Sequence, residues 1–152
     1  DSNGLICIQM GDVTEIEERG YDVFLDTGSP HHVSCVAAVE KIDVQQQGAN
    51  IRYGAPYNTA GSNVNFVQKT APSSFKIRTY ERGVEGETLA CGTGAVAAAI
   101  GVHYLGLTTL NEINIHAMGG ALEVSFETTS GHYKNIWLKG PAAFVFSGNF
   151  SL

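Results

Sequence analysis

The residues best suited to chemistry gather in one stretch, Tyr80-Glu81-Arg82-Gly83-Val84-Glu85-Gly86-Glu87-Thr88-Leu89-Ala90-Cys91-Gly92-Thr93-Gly94-Ala95, which joins an acidic and a basic residue to glycines and a cysteine. Downstream the chain continues through Val96, three alanines, Ile100, Val102 and Leu105, apolar on nearly every face, with Gly106 as a stop. This pattern predicts a buried helix over 91–105. Cys91, Gly92 and Thr93 then lie at its entrance, where backbone N–H groups lack intrahelical partners and the helix dipole favours negative charge. A carboxylate or phosphate can sit at such an end. The same field would lower the pKa of the Cys91 thiol and make it a base or a nucleophile. Gly92 and Gly94 would let a ligand come close to the backbone. Arg82 has the fork for bidentate carboxylate recognition. Taken alone, Cys-Gly is more often a small buried cysteine, and Glu81 with Arg82 more often a surface ion pair.

The elements that must position these residues are mostly strands. Alternating or β-rich runs fall at 5–10, 21–26, 33–39, 64–68, 75–80, 113–117, 122–127, 133–138 and 143–146, most of them separated by Gly, Pro or Ser/Thr turns. Asp43 can cap a short outer helix running toward Tyr53 despite Gly48. Many short strands can surround one buried helix. The expected fold is therefore α+β, a strongly curved, mostly antiparallel sheet or barrel wrapped around the helix at 91–105. Cys7 and Cys35 sit in strand-like apolar alternation and read as core or wall residues. His31 follows a Gly-Ser-Pro turn, where a histidine can titrate near neutral pH or donate a hydrogen bond. Asn63 reads as an Asx-turn residue entering a strand or as a ligand-facing amide. No Cys/His/Asp spacing suggests zinc, and the neighbours His31 and His32 cannot share a metal from an extended strand, so no metal is expected.

With 152 residues, 43% of them hydrophobic and 16% charged, the chain can form one cored domain. A net charge of -6 without a Lys/Arg-rich run argues against nucleic acid or an anionic membrane as partner and fits a small charged metabolite better. The longest apolar run, 95–100, is far short of the ~20 residues that span a bilayer. Three cysteines without a disulfide-scaffold pattern suit a reduced cytoplasm.

The stretch from Glu81 to Ala95 resembles a signature of the diaminopimelate epimerases: Glu-Arg-Gly, an acidic spacer, Gly-Glu-Thr, then Ala-Cys-Gly-Thr-Gly-Ala. Thr27-Gly28-Ser29-Pro30-His31, Ser62-Asn63-Val64-Asn65-Phe66, Met118-Gly119-Gly120-Ala121-Leu122 and Leu138-Lys139-Gly140-Pro141 resemble further segments of that family, in the same order. Together they cover nearly the whole chain and reverse the odds for Cys91. Two departures stand out: Ser29 where the family usually has Asn, and a spacer, Val84-Glu85, one residue longer than the commonest form.

The resemblance implies a cofactor-independent epimerase in which two opposed thiols work as acid and base on an amino-acid α-carbon, interconverting LL- and meso-diaminopimelate for lysine and peptidoglycan precursor synthesis. Cys91 would be one thiol. Glu81 would assist it and His31 would tune the other thiol across the cleft. Asn63, Arg82 and, by position, Ser29 would bind substrate, and Gly92 and Thr93 would hold its α-carboxylate. Family members are about twice as long and carry a second Cys-Gly-Asn-Gly motif that is missing here. The chain thus reads as a single C-terminal domain, 1–152, of a two-domain enzyme, inactive without its N-terminal partner domain and able to form a homodimer. The tail at 147–152 is expected to be unpaired or borrowed by a neighbouring copy. The other readings are a proline or hydroxyproline racemase half, and a non-catalytic carboxylate- or phosphate-binding module.

Overall fold

The computed structural model describes residues 4–150. Ten strands follow one another as β1 (Leu5–Gln9), β2 (Ile16–Arg19), β3 (Asp22–Asp26), β4 (Pro30–Cys35), β5 (Asn63–Ala71), β6 (Ser74–Glu81), β7 (Gly86–Thr88), β8 (Glu112–Ala117), β9 (Gly120–Thr129) and β10 (His132–Pro141), with helix α1 (Val44–Tyr53) between β4 and β5 and helix α2 (Gly92–Tyr104) between β7 and β8. They form one sheet in the order β1-β10-β9-β8-β6-β5-β4-β3-β2, with β7 added on β6. The β4/β5 and β6/β8 pairs are parallel. The remaining strand pairs are antiparallel.

The sheet curls because its inner face has one helix to cover. Gly94 to Val102 of α2 are all buried, and α2 touches β3, β4, β5, β6, β8, β9 and β10, strands from both arms of the sheet. Only a curved sheet can put seven strands around a cylinder ~10 Å across. Small residues draw the sheet close: a Cβ at Gly101 would stand 3.1 Å from Val23 and 3.2 Å from Val33. The helix ends where the sequence places its stop. Gly106 takes φ +71°, its N–H donates to the His103 carbonyl, and Leu107 N–H donates to Val102 O, the paired closure of a left-handed cap. The arms do not meet among the described residues, so the sheet is open rather than a closed barrel.

α1 packs on the outer face of the sheet through Val44, beside Val39, Val64, Phe66 and Tyr80. Asp43 caps it by accepting from Gln46 N–H at 3.0 Å. Gly48, a weak point for a helix by propensity, is the contact itself. A Cβ there would lie 2.4 Å from the Cβ of Tyr80.

Four expectations need correction. Residues 143–146 form no strand and stay exposed. β2 and β7 had no alternating pattern to announce them: one is Ile-Glu-Glu-Arg, the other Gly-Glu-Thr. β4 starts at Pro30 and includes both histidines as buried strand residues. Cys7 lies exposed on the edge strand, whereas Cys35 packs against the core. Residues 142–150 carry no regular structure, and positions 151 and 152 of the tail lie outside the described residues.

Candidate active site

Strand alternation places the polar residues of β4, β5 and β6 on the same inward face as the core. Val33, Val67 and Ile77 of that face belong to the large cluster around α2, whereas Val64, Phe66 and Tyr80 face α1. With a period of two, His31, Asn63, Asn65, Thr79 and Glu81 therefore share the inner face with Val33, Val67 and Ile77. Register brings them side by side: His31 pairs with Asn63, Val33 with Asn65, and Asn65 with Thr79. They meet the beginning of α2, whose N-cap is Cys91.

Two groups of contacts make up the site. In the first, His31 Nε2 lies 2.9 Å from Thr93 Oγ1, and Thr93 Oγ1 lies 3.5 Å from Cys91 Sγ. On its other side His31 Nδ1 faces Asn65 Nδ2 at 3.0 Å. Thr27, from the turn before β4, donates its hydroxyl to the Thr93 carbonyl at 2.9 Å and ties that turn to the helix start. In the second group, Asn63 Nδ2 donates to Ser29 Oγ at 2.8 Å and to Pro30 O at 2.9 Å, while its Oδ1 accepts from Arg82 N–H at 2.9 Å. Arg82 also reaches Ala60 O through Nη1 at 2.9 Å. Glu81 accepts from the Thr88 hydroxyl. Cys91, Thr93 and His31 thus meet in one group and Ser29, Asn63 and the Arg82 backbone in another, while the Arg82 side chain is exposed.

The electrostatics differ from the expectation at two residues. Burial pushes the Cys91 thiol up and the Glu81 carboxylate pushes it further, against the downward pull of the Thr93 hydroxyl and the N–H groups of Gly94 and Thr93. At neutral pH Cys91 is therefore a protonated thiol, not the thiolate that its place at a helix start predicts. His31, expected to titrate near neutrality, is completely buried and held at about 4, first by burial and then by the Arg82 charge. It is a neutral imidazole under ordinary conditions.

The first turn of α2 contains no acidic residue, and Cys91 makes no side-chain cap, so the N–H groups of Gly92, Thr93 and Gly94 remain without helical acceptors. This is the part that can receive an anion. At Gly94 the close neighbour is Asn65 Oδ1, 2.7 Å from where a Cβ would be. Sequence reasoning assigned no role to Asn65, Thr27, Thr79 or Thr88. The alternation in Asn63-Val64-Asn65 was the available signal for Asn65, since residues two apart on a strand share a face. Among the described residues no group of three or more His, Cys, Asp or Glu side chains could hold a metal ion. No described helix is long and apolar enough to cross a membrane.

A curved sheet around a buried helix is also found in solved structures that share this fold. The chain superposes on a hydroxyproline epimerase from Agrobacterium vitis with a TM-score of 0.52 at 14% identity, covering 84% of this chain and 39% of that one. It superposes on a probable proline racemase from Agrobacterium radiobacter with a TM-score of 0.51 at 13% identity, covering 81% and 38%. These define the fold class. Within it, the chain belongs to the diaminopimelate epimerase family, whose sequence profile matches residues 23–145. It is 52% identical to a diaminopimelate epimerase of Flavobacterium psychrophilum over 146 residues, covering 96% of this chain and 57% of that protein. It is 44% identical to one of Chlorobaculum tepidum over 130 residues, covering 85% and 49%. The chain spans about half the length of the curated relatives it matches.

Proposed function

We propose that this chain supplies one of the two acid–base groups of a diaminopimelate epimerase, the Cys91 thiol, and most of the groups that hold the substrate. Inverting an α-carbon without a cofactor requires a proton to leave one face and another to arrive at the opposite face. The observation that carries this reading is the placement of Cys91 at the start of α2, beside N–H groups able to take an α-carboxylate and within the field of Glu81. In the direction that starts with Cys91 as a protonated thiol, the opposing base takes the proton from the other face and Cys91 returns one to its own, ending as a thiolate. In the reverse direction the roles exchange: the Cys91 thiolate removes the proton from its face and the opposing group, now protonated, delivers one. Arg82, Asn63 and Ser29 form the polar wall for the rest of the substrate, and Glu81 modulates the thiol. No pyridoxal phosphate is needed.

The opposing base is not another cysteine of this chain. Cys35 is four residues along β4 from His31, roughly 13 Å at the rise of a strand, and burial drives its thiol up to about 11. Cys7 lies on the edge strand opposite Lys139. The second thiol therefore comes from a partner domain, and the chain alone is inactive. Work on diaminopimelate for lysine and cell-wall precursors puts the enzyme in the cytoplasm. The tail from 147 onward is unpaired in the chain alone or borrowed by a neighbouring copy.

The test is exchange of the α-proton of LL-diaminopimelate in deuterated water, with the chain alone and with a separately produced partner domain. Exchange that needs both and disappears in Cys91→Ser supports the reading. Failure after confirmed reassembly overturns it in favour of an anion-binding module.

A further inference from the structure

Asn65 is fully buried and every hydrogen-bonding atom of its carboxamide is used. Nδ2 donates to the His32 carbonyl at 3.1 Å and faces His31 Nδ1 at 3.0 Å, while Oδ1 accepts from the Thr79 hydroxyl at 3.0 Å. A backbone carbonyl can only accept, so the group facing it must be the NH2. That fixes the orientation of the amide without reference to the histidine. The second N–H of Nδ2 then points at His31 Nδ1, which must be the bare nitrogen. A neutral imidazole with a bare Nδ1 carries its proton on Nε2, and Nε2 faces Thr93 Oγ1. Thr93 Oγ1 accepts there and keeps its own hydrogen for the remaining neighbour, the Cys91 sulfur.

We propose that Asn65 is a positioning residue: by holding His31 as the Nε2-protonated tautomer it aims the Thr93 hydroxyl hydrogen at Cys91, stabilising the thiolate that forms when Cys91 gives up its proton. The opposite tautomer would take the Thr93 hydrogen for itself and leave the sulfur facing oxygen lone pairs. The relay also explains Gly94, since any side chain there would strike Asn65 Oδ1 and Cys91 together. The inference rests on Cys91 being an acid–base group, but its first test does not.

That test is the tautomeric state of His31 in the 15N-labelled chain, read from long-range proton–nitrogen correlations and assigned by loss in His31→Gln. A protonated Nε2 and bare Nδ1 are expected between pH 6 and 9, and a proton on Nδ1 overturns the proposal. The second test is the pH dependence of Cys91 alkylation by iodoacetamide, followed peptide by peptide so that Cys7 and Cys35 are counted apart. Thr93→Val should raise the Cys91 thiol pKa by about one to two units, the size expected for losing a hydrogen bond to a charged group, and Thr93→Ser should restore it. Asn65→Leu should populate the other tautomer and raise the thiol pKa, with no added effect in the Thr93→Val background. An equal shift in that background, or a changed tautomer with an unchanged thiol, overturns the relay. Should Asn65→Leu fail to fold, the wild-type tautomer and the Val and Ser pair at position 93 decide the matter.

Discussion

Gly94 lies directly over Asn65: a β-carbon at position 94 would stand 2.7 Å from Asn65 Oδ1 and 3.3 Å from Cys91 Sγ. The start of α2 and the end of the polar row on β5 are fitted together at the place where the chemistry is proposed. Gly94→Ala should therefore cost stability even though alanine is the better helix former by roughly 1 kcal/mol. Neither neighbour can move easily, because Asn65 is bonded on all sides. The expected net loss is about 1–3 kcal/mol in urea denaturation, with slower Cys91 alkylation. A variant as stable as the parent would show that the contact yields.

The same competition occurs on the outer face. Gly48 in α1 meets the first carbons of Tyr80, at 2.4 Å to Cβ and 2.6 Å to Cγ, atoms fixed by the β6 backbone. Helix propensity favours Gly48→Ala, and packing opposes it. Packing should win by about 1–2 kcal/mol, measured as a lower midpoint of urea unfolding with an unchanged slope.

His31 gives the fold a pH dependence of known sign. Its folded-state pKa is lowered from 6.5 to about 4, so the unfolded chain binds the extra proton first. Stability is complete above about pH 6.5 and falls as pH drops toward 4, by up to about 3 kcal/mol. Comparing urea unfolding at pH 7 and pH 4.5 in the parent and in His31→Gln isolates this contribution from the carboxylates. The variant should show the shallower decline, and equal slopes would mean that His31 is not held neutral.

The longer spacer between Arg82 and Gly86 gives a further test. Glu85 takes φ +59° and accepts from Gly83 N–H, Tyr80 OH and the Arg52 guanidinium, at 3.1, 3.3 and 3.0 Å. This pins the turn after Glu81 onto α1. Arg52→Met should release the turn and make cleavage after Glu81 or Glu85 by a glutamate-specific protease several-fold faster, with α2 still folded. An unchanged rate would show that the backbone alone holds the turn.

The sequence made α2 legible because an apolar run without charge has only one place to go, and it made the Cys91 cluster legible because its residues lie within a dozen positions of one another. The capping aspartate of α1 was visible for the same local reason. The sign of the thiol shift was not. A helix start lowers a cysteine pKa, but how deeply Cys91 is buried and how near Glu81 comes depend on strands from elsewhere in the chain. His31 was expected to titrate near neutrality because its turn says nothing of its burial or of its contact with Thr93, more than sixty positions away. β2 and β7 form because a neighbouring strand offers them an edge, which no pattern of their own residues announces. The 143–146 run has a strand's composition yet pairs with no strand among the described residues.

The residues of α2 from Gly94 to Val102 are enclosed by strands from both arms of the sheet. The amide protons of Ala95 to Val102 should therefore exchange with solvent only when the whole domain opens, among the slowest in the molecule. The proposed acid–base group thus stands at the edge of the least yielding part of the protein, as the N-cap of α2. The cysteine is held at one end of a helix that cannot shift without the sheet around it, so whatever encloses the substrate must travel to that end.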